Sequence, residues 1–213
     1  VESLGYAGIQ KSYDENNNLI STKYLNASGF AKASADGYDD VQYEYDDNGN
    51  KIVERYVNKT GKLMMVPSKG YAMVKHAYND AKKETDTWYF DDEEKPVMVQ
   101  GVHHIVKEYD TAGNVTAEKK YSKNDTILLD AKGVAYTLKK YNKKNLAESE
   151  TFCNAEGNPM VPEGKEYATI KKKYDLAGNV SEQTYFDSEG YPVTIPQGYH
   201  GMAMVYNDLQ KPV

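Results

Sequence analysis

The chain has 213 residues, with 26 Lys and Arg against 32 Asp and Glu for a net charge of −6 and a pI near 5.3. That balance argues against a nucleic-acid-binding domain, which carries a basic face. No apolar run approaches the roughly 18 residues of a membrane span, and a lone cysteine, Cys153, excludes an intrachain disulfide or a cysteine-built metal site.

Twenty tyrosines stand beside four Phe and one Trp, with a mean hydropathy of −0.78. Tyr buries its ring while its hydroxyl stays hydrogen-bonded, so thin layers with much surface are expected rather than one deep core. The chain opens on Val1 without a basic-then-apolar leader, as expected of a processed or excised piece.

In chain order, "GYAGIQKSY" from Gly5 reads as a short strand, and "YDENNN" from Tyr13 as a turn. "YLNASGF" from Tyr24 follows as an aromatic segment and second turn, and then the pattern restarts at "GYDDVQYEY" from Gly37. Aligning the Tyr-Asx positions gives Tyr13, Tyr45, Tyr78, Tyr109, Tyr141, Tyr174 and Tyr206, with spacings of 32, 33, 31, 32, 33 and 32. Residues 1–213 thus read as a single tandem array of about six and a half units.

Within each unit the stretch ending in that Tyr is the clearest strand. Ile9, Val41, Val74, Ile105, Ile170 and Met202 stand four residues before the Tyr, on the same strand face, with Thr137 the exception. Each stretch is short, β-branched and aromatic, and bounded by Gly and Asx.

The Tyr-Asx-x-x-Gly-Asn part reads as a hairpin turn. Its Asp or Asn accepts a hydrogen bond from backbone two residues on, and Gly49, Gly113 and Gly178 supply a positive φ. Asn17 and Asn145 hold the same place, and Asn is among the side-chain-bearing residues that best tolerate that region. Asp46, Asp110 and Asp175 are oxygen-rich enough to suggest calcium. However, the pattern lacks the alternating carboxylates and twelfth-position Glu of an EF-hand, and Asn replaces Asp at Asn79, Asn142 and Asn207.

"YDTAGN" from Tyr109 and "YDLAGN" from Tyr174 resemble the signature of the YD repeats of large bacterial surface and toxin-shell proteins. "YFDSEGYPV" from Tyr185 is similar to the aromatic hairpins of choline- and glucan-binding cell-wall repeats. The resemblance implies an exported, non-catalytic bacterial repeat protein, secreted or at the cell surface.

The histidines are His76, His103, His104 and His200, of which His103 and His200 hold register-equivalent places in different repeats, where convergence on a metal is not expected. Cys153 aligns with Leu25, Val57, Phe90, Tyr121 and Phe186 in an apolar column, which suits a small core hydrophobe better than a nucleophile. There is no nucleophile elbow, phosphate loop or dinucleotide fingerprint. No enzyme, cofactor or metal is expected.

Aromatics that recur in register belong to the repeat core. Trp88, where other copies have Arg55, Thr151 or Thr184, and Tyr191, where others have Lys62, Lys95 or Asn158, break the pattern and are the candidate ligand-binding residues. The expected fold is all-β, an open solenoid or superhelix of stacked hairpins. A closed propeller is the alternative, disfavoured because its blades run to roughly 40–45 residues. The expected function is binding or adhesion to carbohydrate, cell wall or a protein partner. A passive spacer or shell segment of a larger protein is the alternative.

Overall fold

A computed structural model describes residues 6–207 and 209–213. The first Gly-aromatic lead-in, at Gly5, falls outside them. All thirteen named elements are strands: β1 Gly8–Tyr13, β2 Leu19–Leu25, β3 Asp40–Tyr45, β4 Lys51–Val57, β5 Met73–Tyr78, β6 Glu84–Phe90, β7 His104–Tyr109, β8 Val115–Tyr121, β9 Tyr136–Tyr141, β10 Ala147–Cys153, β11 Thr169–Tyr174, β12 Val180–Phe186 and β13 Gly201–Ala203.

Strands β1 to β8 hydrogen-bond in sequence order, and β9 to β13 form a second sheet in sequence order. Neither sheet pairs its first strand with its last, so the array is an open series of tandem antiparallel hairpins. The chain divides into two compact units, one of Val1–Val106 with Tyr121–Thr126, the other of Lys107–Lys120 with Ile127–Val213.

One turn chemistry closes the hairpins. In the turn after β3, Asp46 Oδ1 accepts the Asn48 and Asn50 amides at 3.0 and 2.8 Å, and Asp46 Oδ2 accepts Asn50 Nδ2 at 2.8 Å. The fourth turn residue, Gly49, has φ 78°, as the Asx reading expects. Asn17 and Asn145 take φ 65° and 59° there, but so does Lys82 at 56°, which is neither Gly nor Asn. The Asn79 side chain holds the Ala81 and Lys83 amides at 3.1 and 3.0 Å, so the hydrogen-bonded loop carries the strain of a left-handed lysine.

The same device serves the second turn of the unit, where Asn26 Oδ1 accepts the Ser28 and Phe30 amides. It serves a third as well, where Asp130 Oδ1 accepts those of Lys132 and Val134.

In five copies the tyrosine that opens the motif is a clip between hairpins. Pairing slips by one residue at Ser12/Tyr13, Glu44/Tyr45, Ala77/Tyr78 and Lys173/Tyr174, a bulge that re-aims the ring. Tyr45, Tyr78, Tyr141, Tyr174 and Tyr206 then donate from Oη to the carbonyls of Leu19, Lys51, Val115, Ala147 and Val180, at 2.6–3.0 Å. Each acceptor is the first residue of the second strand in the preceding hairpin.

In the first unit the recurrent rings form a ladder along one sheet face, Tyr6–Tyr24–Tyr38–Tyr56–Tyr71–Tyr89, with successive centroids 4.7, 5.6, 4.8, 6.0 and 5.3 Å apart. Around it Tyr38, Val41, Tyr56 and Val66 make a buried cluster. Burial together with Glu54 pushes the Tyr43 phenol up to about 12. The second unit has a shorter ladder, Phe152–Tyr167–Tyr185–Tyr199, at 6.1, 4.8 and 6.4 Å. Between the two runs the same register positions hold Val102, Lys120 and Val134. Cys153 is 1% exposed, as its apolar column implies, and burial raises its thiol above the ordinary value.

Candidate functional site

Side chains alternate across a strand, so Tyr89 joins the ladder while Trp88 projects to the opposite face of β6. There Trp88 pairs across strands with Lys75 of β5 on one side and His104 of β7 on the other. The indole stacks on the His104 imidazole, with centroids 4.6 Å apart and planes 16° apart. His104 in turn stacks on Tyr121, at 5.4 Å and 26°. Asp86 Oδ1, two residues before Trp88 on the same face, lies 2.8 Å from His104 Nε2 and fixes the imidazole plane.

Trp88 also helps to line an open groove of about 590 Å³, together with Ile52, Val53, Lys75, His76, Ala77, Tyr78 and Phe90. Lys75 Nζ lies over the Phe90 ring, 5.0 Å from its centroid. His76 Nδ1 meets Glu84 Oε2 at 2.9 Å. Burial holds the His76 imidazole below its ordinary 6.5, with Glu84 pulling the other way. The groove is therefore an apolar trough on the Trp88 face, with the Lys75 ammonium among its lining, while the His76 ring turns to the ladder face with Thr87. The trough suits a ligand with one apolar face and hydroxyl groups at its rim.

Tyr191 belongs to the second unit and sits on a turn rather than a strand. Its amide donates to Asp187 Oδ1 at 2.9 Å, and its ring is 64% exposed. Phe30, the fifth residue of the equivalent turn in the first unit, is 71% exposed. Trp88 and Tyr191 thus occupy separate units and different structural settings. Among the described residues no group of three or more His, Cys, Asp and Glu side chains is placed to hold a metal ion. No helix among them is long and apolar enough to cross a membrane.

Sequence reasoning missed His104 and Tyr121 as the supports of Trp88. The column of His104 holds Gly8, Asp40, Met73, Tyr136, Thr169 and Gly201, with no recurring type from which an imidazole would stand out.

The architecture defines an all-β tandem-hairpin repeat protein. No protein-family model matches the chain, and no curated protein matches it. Among solved structures it is similar to a chain of a mutant Photorhabdus luminescens Tc holotoxin pore, at 12% identity and TM-score 0.43 over 96% of this chain and 10% of that one. It is also similar to a TcdB2-TccC3-TEV structure, at 13% identity and TM-score 0.41 over 93% and 10%. A TcdB2-TccC3 structure matches at 15% identity and TM-score 0.37 over 83% and 10%. The chain spans about a tenth of the length of these matched chains.

Proposed function

We propose that this chain is a non-catalytic binding module of an exported bacterial protein, and that the groove beside Trp88 takes a sugar ring of a cell-wall or host carbohydrate. The observation that supports this is the setting of Trp88. The chain's one tryptophan departs from the repeat, is backed by His104, and lines an open trough. A pyranose presents a flat C–H face that packs on an aromatic plane and a rim of hydroxyls for polar side chains. Tyr191 on the second unit is a separate weak contact, and weak contacts on one chain add through effective concentration.

The test is a glycan array and a cell-wall pull-down with the wild type, Trp88→Ala and Tyr191→Ala. Retention lost in Trp88→Ala, with a far-ultraviolet spectrum unchanged, supports the reading. Retention equal in wild type and Trp88→Ala refutes it at this groove. No retention on any sugar or wall fraction refutes carbohydrate binding altogether. A specific observation favours a second reading, a spacer or shell segment. Within each unit, Tyr clips tie a hairpin to the one before it, which suits a chain whose task is to hold a fixed length.

A further inference from the structure

The rungs of the first unit's tyrosine ladder are close enough for their rings to touch, edge to face from Tyr24 to Tyr71 and tilted at either end, and the hydroxyl of Tyr56 meets a carboxylate. Tyr56, 2% exposed, donates to Glu54 Oε1, two residues earlier on the same strand face. The other carboxylate oxygen, Oε2, is bound by Lys51 Nζ, which keeps Glu54 ionised and able to accept a proton. Lys69 Nζ stands over the Tyr56 ring, 5.2 Å from its centroid.

The second unit supplies a natural contrast. There Tyr185 occupies the place of Tyr56, and Gln183 that of Glu54. Gln183 Nε2 donates to Tyr185 Oη, so the amide gives a proton where the carboxylate accepts one.

We infer that the ladder from Tyr6 to Tyr89 is a relay for oxidising equivalents, and that Tyr56 is its sink because Glu54 takes the phenolic proton. Oxidising a phenol makes its O–H strongly acidic, so the radical persists only where a base receives the proton. The oxidant is a one-electron acceptor of the kind formed when peroxide meets a redox metal, and it takes one electron from an outer rung. The hole passes ring to ring across centroid gaps of 4.7–6.0 Å.

At Tyr56 the Oη–H bond breaks along the existing hydrogen bond and an O–H bond forms on Glu54. The products are a neutral tyrosyl radical, a neutral carboxylic acid and the reduced acceptor. The Lys69 ammonium over the ring disfavours a charged ring radical, so the electron and the proton leave together. Val102 replaces the next Tyr after Tyr89 in register and ends the relay within the unit.

The experiment uses the whole chain with a photogenerated ruthenium(III) polypyridyl complex as oxidant, read by electron paramagnetic resonance and by dityrosine fluorescence. The wild type is expected to give a persistent tyrosyl signal and little dityrosine. Tyr56→Phe and Glu54→Gln are each expected to lose that signal and to gain dityrosine through exposed tyrosines such as Tyr13 and Tyr191. Glu54→Gln recreates the pair already present at Gln183 and Tyr185, and a far-ultraviolet spectrum checks that it folds. A persistent signal that survives in Tyr56→Phe overturns Tyr56 as the sink, and one that survives in Glu54→Gln overturns the role of the carboxylate.

Discussion

Tyr78→Phe removes one atom from the array and so isolates the worth of a clip. The ring stays, its packing stays, and the lost partner is the Lys51 carbonyl, which accepts Tyr78 Oη at 3.0 Å at the start of β4. A hydrogen bond of this kind contributes about 0.5–1.5 kcal/mol net, and a half-buried carbonyl left without its donor adds up to about 1 kcal/mol more. With a urea dependence of ~2 kcal/mol per molar, the midpoint should fall by roughly 0.25–1.25 M. In an array the loss is local, so amide exchange should accelerate in β4 and β5 ahead of β1 and β2.

Tyr13→Phe is the internal control, because the Tyr13 hydroxyl makes no such bond among the described residues and the side chain is 52% exposed. It should shift nothing beyond error. Equal midpoints for Tyr78→Phe and Tyr13→Phe would refute the clip as a source of stability.

Acid should loosen the turns that carry Asp and spare those that carry Asn. The Asn50 side chain and amide hold the Asp46 carboxyl below its ordinary 3.8, and Asn114 and Asn179 do the same for Asp110 and Asp175. A depressed carboxylate stabilises fully above the ordinary value and loses that contribution as pH falls through the folded one. Urea midpoints should therefore drop below about pH 4 in the wild type, and drop less in a triple Asp46→Asn, Asp110→Asn, Asp175→Asn variant.

Gly49→Ala should cost about 1 kcal/mol through backbone strain alone, since φ is 78° and no atom lies within 4 Å of the added Cβ. Gly201→Ala should cost more and loosen β13 in hydrogen exchange, because its Cβ would meet the Gln183 carbonyl oxygen at 2.9 Å. Cys153 should ignore an aromatic disulfide reagent in the native state and react at once in denaturant, as its 1% exposure dictates.

What could be read from the sequence was whatever repeats. The spacing of the Tyr-Asx motifs located the hairpins, and Gly49, Gly113 and Gly178, with Asn17 and Asn145, marked the left-handed position within them. Lys82 escaped notice because its conformation is imposed by the Asn79 network and not by its own preference. The role of the motif tyrosine was hidden for a different reason. Its partner is a backbone carbonyl 26 or 27 residues upstream, and backbone leaves no trace in residue identity. The Trp88 candidate was visible as an exception to the pattern, whereas the stack that orients it needed the cross-strand register to appear. Phe30 was passed over as a weak copy of a turn, and only exposure separates it from the packed rings.

The clip fixes a rule for how such a chain grows. Each of the five donors finds its acceptor in the hairpin immediately before it, at an offset of 26 or 27 residues. A gene segment duplicated or excised between two equivalent tyrosines therefore leaves every remaining donor with an acceptor at the right offset. An insertion of a few residues between a donor and its acceptor does not. Copy number is thus open to change by recombination, while unit length is held near 32 residues.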